Sequence, residues 1–139
     1  MKRVVIVSKS SKVSDQIVAQ AIEQRLQSQG HDVFRDLDAE SNMLWAKSVM
    51  DQIHQADILI PLLSKAAASS EHLAYQIETA HDTAQKHGGK PAIIPCLMQW
   101  VGPIPEPLGG LLAPIPHLLW EDEQDTEKLL EDIETRIRS

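Results

Sequence analysis

The chain has 139 residues, 42% of them hydrophobic and 24% charged, with a formal net charge of -7 and a single cysteine. That suffices for one domain over 1–139, burying roughly two-thirds of the surface an unfolded chain exposes, with no disulfide to hold it. The composition excludes a disordered segment, and the acidic balance excludes general nucleic-acid binding, which needs concentrated positive charge.

Lys2 and Arg3 are followed by only four apolar residues, too few for a signal peptide or membrane span, so the expectations are no membrane partner and a cytoplasmic location. Charge is unevenly placed: residues 1–35 carry six basic and three acidic groups, and residues 121–139 three basic and eight acidic. This polarity permits head-to-tail association between copies, but a solvated last helix accounts for it more simply. Cys96 lies in an apolar run and reads as a buried structural thiol.

In chain order, Val4-Val5-Ile6-Val7 is a continuous apolar run, as in a strand covered on both faces and central in its sheet. The polar stretch from Ser8 to Ser14 is a loop at its carboxyl end, and Ser14 is placed to cap a helix starting at Asp15. That helix directs Ile17, Val18, Ala21, Ile22 and Leu26 inward and stops near Gly30. Asp32-Val33-Phe34 forms a short second strand, and Asp36 to Asn42 a loop rich in carboxylates. A second helix follows from about Met43 to Gln55, with Trp45, Val49, Ile53 and Ala56 as its inward stripe.

The third strand, Ile58 to Leu63, leads through Ser64 into a small-residue loop and a helix from Ser70 to about Lys86, whose stripe is Leu73, Ile77, Ala80 and Ala84. A fourth strand spans Ala92 to Met98. Pro61 and Pro95 each remove a ladder hydrogen bond, so the pattern requires an edge, a bulge or a strand end at both. Gln99 to Pro116, with five prolines and three glycines, reads as irregular chain anchored by Leu108, Leu111 and Leu112. His117 to Trp120 is a fifth strand, and Thr126 to Arg138 the closing helix, with Leu129, Leu130, Ile133 and Ile137 inward.

Strands alternating with helices predict an α/β fold, a five-stranded parallel sheet with helices on both faces. Right-handed crossovers from a central first strand favour the order 2-1-3-4-5. The crevice then lies beyond the carboxyl ends of strands 1, 2 and 3.

Several stretches resemble the Toll/interleukin-1 receptor (TIR) domain family, in particular its bacterial members. They are Val5-Ile6-Val7-Ser8 with serines following, Gly30 to Asp36, Ile53-His54-Gln55-Ala56-Asp57 before the third strand, Lys90 to Pro95, and Pro103 to Leu108. The resemblance covers essentially the whole chain. It implies a single flavodoxin-like domain whose partners are itself or other TIR domains, often through the loop after the second strand. Here that loop, Leu37 to Met43, lacks the glycine and proline common in the family.

Many members of the family cleave NAD, using a tryptophan, a glutamate four positions later and an alanine four beyond. With Ala80 as that alanine, the glutamate position holds Gln76 and the tryptophan position His72. Glutamine retains hydrogen bonding but not the charge that would stabilise a cationic, oxocarbenium-like transition state. At ~100° per residue, Gln76 falls about 60° from the Leu73 direction, beside His72 and Ser69, at the border of the apolar stripe. Glu78 lies about 140° round and points to solvent, and serves as a substitute carboxylate only if the helix is shifted.

The candidate site is therefore Gln76, with Glu78 as the substitute, lined by Ser8, Lys9, Ser64, Ser69 and His72. The serines, Lys9 and a helix N-terminus are also able to meet an anion, though no phosphate-cradling glycine loop is present. The six histidines show no metal-ligand spacing, and no metal is expected. No cofactor is expected either, beyond NAD as a possible substrate or ligand.

The primary reading is a TIR-like signalling and assembly module without NAD cleavage. The alternative is an NAD glycohydrolase or cyclase of a bacterial, anti-phage-type system activated by self-assembly. A small-molecule binder or nucleoside-transferring enzyme of similar fold stays open as a third.

Overall fold

A computed structural model describes residues 2–8, 13–37, 43–65, 71–100, 102–106 and 108–138, excepting the side chains of residues 36, 37, 43–46 and 72. The unbroken apolar run forms β1 (Arg3–Ser8) and is central, pairing in parallel with β2 (Asp32–Leu37) on one side and β3 (Ile58–Leu63) on the other. Beyond β3 lie β4 (Ala92–Ile93), β5 (Cys96–Met98) and β6 (Leu118–Trp120). The sheet runs β2-β1-β3-β5-β6, with β4 also on β3. This is the predicted order, except that one predicted strand is two.

The split is the work of proline. Ile58 and Leu59 pair with Ala92 and Ile93, and Leu62 and Leu63 with Cys96 and Leu97, so an unchanged register sets Pro61 opposite Pro95. The Ile94 amide donates to the Leu59 carbonyl at 2.9 Å, so alternate residues of β3 present their backbone groups to this neighbour. Pro61 falls in that set, and its missing N–H leaves the Ile94 carbonyl for the Cys96 thiol, 3.8 Å away. The missing N–H of Pro95 faces the other way, toward chain that precedes β6, while its carbonyl accepts from the Leu118 amide at 2.9 Å. Pro61 thus stands inside a central strand, not at the edge, bulge or strand end the pattern required.

Among the described residues five helices cover the two faces. The first face takes α1 (Val13–Ser28) and α5 (Thr126–Arg138), where Val18, Ile22, Leu26, Leu129, Leu130, Ile133 and Ile137 pack on Val4, Ile6, Ile58 and Ile60. The second takes α2 (Met43–Gln55), α3 (Glu71–Lys86) and the short α4 (Leu108–Leu112), closing over Val5, Val7, Leu59 and Leu63. Each large aliphatic side chain taken fully out of water contributes about 1.5–3 kcal/mol, and both layers are built from such residues.

α1 ends in a Schellman turn, with Gly30 at φ +89°, its amide on the Gln27 carbonyl at 3.0 Å and the His31 amide on the Leu26 carbonyl at 3.1 Å. Arg25 fastens α1 to α5 through Glu134 at 2.7 Å and Glu127 at 2.6 Å.

The structure corrects several expectations. The inward stripe of α1 is Asp15, Val18, Ala19, Ile22 and Leu26, whereas Ile17 is 58% exposed. The helix is turned so that an acidic residue, not an isoleucine, enters the layer near its start. β2 runs three residues past Phe34, because backbone pairing with β1 continues to Ser8–Leu37 where the side-chain pattern turns polar. In α3, Leu73, Ile77 and Ala80 are buried as predicted, but Thr83 takes the inward place expected of Ala84. The segment read as irregular contains α4. Trp45 lies outside the described side chains.

Candidate functional site

Because β1 continues to β2 on one side and β3 on the other, the sheet reverses its direction of winding at β1, and its crevice opens at the carboxyl ends of β1 and β3. Ser8 is the last residue of β1 and pairs with Leu62; Ser64 lies two residues past that partner, directly after β3. The candidate serines are thus brought to one end of the sheet, and both are buried, at 4% and 5% exposure. Alternation along β1 places Ser8 on the same side as Val4 and Ile6, the side that α1 covers.

Gln76 arrives from the second turn of α3, on the opposite face. It is buried, at 6% exposure, between the inward residues Leu73 and Ile77. Glu78, two residues on, is exposed. α3 therefore brings an amide, and not a carboxylate, to the inward position. Lys9 and Ser69 lie outside the described residues, as do residues 38–42 of the loop after β2 and the side chain of His72.

Sequence reasoning missed Asp15. It stands in the first turn of α1, is 1% exposed, and neither carboxylate oxygen has a hydrogen-bond partner among the described residues. The hydroxyl of Ser8 is buried in the same condition. The signal was present: spacings of three, four and four set Asp15 in line with Val18, Ile22 and Leu26. It was passed over because an acid in a first turn ordinarily serves the helix dipole from the surface.

Two grooves lie elsewhere. One of about 450 Å³ separates α2 from α3, lined by Met50, His54, Tyr75, Asp82, Thr83 and Lys86, with Thr83 Oγ1 and His54 Nδ1 3.2 Å apart. It extends toward the amino-terminal edge of the sheet, away from Ser8 and Ser64. The other, about 370 Å³, runs beside Leu97, Ile104, Glu106, Gly109 and His117. Among the described residues no group of three or more His, Cys, Asp or Glu side chains is placed to hold a metal ion. No described helix is long and apolar enough to cross a membrane.

At the amino-terminal edge, the Asp57 carboxylate accepts from the Arg3 amide at 2.9 Å and sits 3.3 Å from the Lys90 ammonium. The amide first, and the ammonium after it, hold this carboxyl below the usual aspartate range. The Cys96 thiol is fully buried and pushed up to about 12 by that burial.

The fold is similar to that of the Clostridium botulinum CMP N-glycosidase BcmB, with a TM-score of 0.70 at 18% identity over 97% of this chain and 99% of that one. It is equally similar to the TIR domains of the activated Roq1 resistosome, with a TM-score of 0.69 at 14% identity over 99% of both chains. The TIR domain heterodimer of RPS4 and RRS1 gives 0.66 at 14% identity, over 99% of this chain and 96% of that one. No curated protein matches the sequence significantly. The sequence model of the TIR domain matches residues 5–133, and the chain belongs to the TIR domain family.

Proposed function

We propose that this TIR domain is a signalling and assembly module that acts by associating with itself or with other TIR domains, and that it does not cleave NAD. The observation that carries the reading is the pairing on α3: the buried position is the amide Gln76, and the nearby carboxylate Glu78 is exposed. Removing a positioned charge from a site that must stabilise developing charge typically costs about 10²–10³ in rate. Support for association comes from the similar TIR domains, which occur in a resistosome and in a heterodimer. A cytoplasmic setting, without nucleic-acid or membrane partners, accompanies this reading.

The test is nicotinamide release from NAD at high protein concentration, together with light scattering for self-association. The expected result is a concentration-dependent oligomer and no release by the unaltered chain, with release gained in Gln76→Glu. Turnover by the unaltered chain that is abolished in Glu78→Gln would refute the reading in favour of an NAD glycohydrolase or cyclase.

A further inference from the structure

The sheet ends in two edge strands, and they are not alike. β2 carries Asp32, Arg35 and Asp36, charged residues of the kind that keep an open edge from pairing with another chain. β6 reads Leu118-Leu119-Trp120 and carries no charge. Its Leu118 amide donates to the Pro95 carbonyl at 2.9 Å and its Trp120 carbonyl accepts from the Gln99 amide at 2.7 Å, so both residues turn their backbone toward β5. Alternation turns the N–H and C=O of Leu119 outward, and among the described residues no strand lies beyond them.

The side chains alternate as well. Leu118 and Trp120 are buried in the layer that α5 covers. Leu119 therefore points to the second face, where it is 61% exposed although its β5 neighbour Leu97 is buried. His117 and Glu121 flank the strand and fall on the same side as Leu119. His117 borders the groove beside Leu97 and Ile104, and its Nδ1 is inaccessible to water with no partner among the described residues. Glu121 is exposed.

We propose that β6 is a self-association edge, at which two copies of this chain pair antiparallel about a two-fold axis at Leu119 and join their sheets into one. This rests on the assembly reading and names the surface and the partner for it. On the axis, each Leu119 exchanges both of its backbone hydrogen bonds with Leu119 of the second copy, and the two exposed side chains cover one another. On either side Leu118 falls opposite Trp120, and beyond them His117 falls opposite Glu121, so an imidazole N–H meets a carboxylate twice. Sliding one copy to the next register that keeps outward backbone groups together sets Leu119 against His117 or Glu121, and these matches are lost. α5 packs against β6, and the two-fold runs it antiparallel to its copy, with the acidic Glu127 and Glu131 toward the end that carries Arg138.

The pairing is a reversible one. The Glu121 amide is held by Asp125 Oδ2 at 2.8 Å and its carbonyl by Gln99 Nε2 at 3.0 Å, which limits the shared ladder to the two bonds at Leu119. An edge this short gives a small interface that fills at high protein concentration.

The test is sedimentation equilibrium of the unaltered chain, Leu119→Pro and Leu119→Lys at concentrations up to about 1 mM. The unaltered chain is expected to form dimers. Leu119→Pro removes only an N–H that faces outward, so the bonds to β5 stay and the melting temperature of the dilute protein should move by no more than about 3 °C. Its dimer should nevertheless dissociate at least about tenfold more readily. Leu119→Lys, which alters only an exposed side chain and sets like charges on the axis, should weaken the dimer as much and stands in if the proline variant does not fold. Paired Cα atoms on the axis lie about 5.5 Å apart, within disulfide reach. Copper-catalysed air oxidation of Leu119→Cys should therefore give a covalent dimer, whereas Ile17→Cys, at the comparably exposed Ile17, and the unaltered chain, whose Cys96 is buried, should stay largely uncrosslinked.

A chain that remains monomeric throughout overturns the proposal, and with it the self-association arm of the assembly reading. Association that is undiminished in Leu119→Pro and Leu119→Lys, or crosslinking of Leu119→Cys no faster than that of Ile17→Cys, overturns the β6 pairing alone and leaves assembly to another surface.

Discussion

Removing the Asp57 carboxylate should loosen the amino-terminal edge of the sheet, and by an amount that depends on pH. Its Oδ2 accepts from the Arg3 amide at 2.9 Å, and its Oδ1 lies 3.3 Å from Lys90 Nζ. A hydrogen bond to a charged group contributes about 1.5–3 kcal/mol, and the low end applies because the side chain keeps 26% exposure. The Lys90 pair adds no more than about 0.5 kcal/mol, since that side chain is 66% exposed. Asp57→Ala should therefore cost about 2 kcal/mol, or about 6 °C in melting temperature for a domain of this size. Asp57→Asn, which retains an acceptor for Arg3, should cost about half as much.

The pH dependence follows from the sign of the shift. The folded-state carboxyl is held below its ordinary value, so the contribution of its charge is complete above the ordinary aspartate range and disappears as the pH falls through the folded value. Urea unfolding of both variants and the unaltered chain, at about pH 7 and again at about pH 2, reads this directly. The gap between Asp57→Ala and the unaltered chain should be full at the first pH and smaller at the second, where a protonated carboxyl keeps only a neutral acceptor like that of Asp57→Asn. A gap that is the same at both would refute the reasoning, as would no gap at neutral pH.

Three further outcomes follow from packing. Ile77→Ala should cost about 2–5 kcal/mol by urea unfolding, because Ile77 is fully buried, whereas Ile17→Ala, at 58% exposure, should stay within about 0.5 kcal/mol; the reverse ranking would restore the stripe expected from the pattern. Gly109→Ala should destabilise by about 1–3 kcal/mol, since a Cβ there meets the Ile104 carbonyl oxygen, and Gly110→Ala by less, since its Cβ meets the movable end of Glu106; equal stability of the two variants would contradict this. The Cys96 thiol, buried and pushed up to about 12, should resist a colorimetric thiol reagent at about pH 8 until urea unfolds the chain, and fast labelling of the native protein would show that the strand around it is open.

Elements whose side-chain period matched their burial were legible in the sequence. The closing helix is one: Leu129, Leu130, Ile133 and Ile137 all turn inward, and the range is as read. The sheet order was legible too, because Val4 to Val7 could only be a central strand. β2 was read short because Asp32, Arg35 and Asp36 carry no alternating signal, and its length is fixed by backbone bonds to β1 instead. The positions of Ser8 and Ser64 at strand ends were legible from period, and so was the inward turn of Gln76 once the family resemblance had singled that residue out. The burial of Asp15 was not, because a wheel gives the direction of a side chain but not what covers it.

Pro61 and Pro95 give the sheet a seam. From Arg3 to Ser8, β1 is zipped to β2 without interruption, and it follows β3 from Val4 onward. Across the seam β3 is joined by two short stretches on either side of a step at which Pro61 offers no N–H to its neighbour. Native openings begin where the ladder is shortest, so amides from Cys96 to Trp120 exchange with water ahead of those in β1.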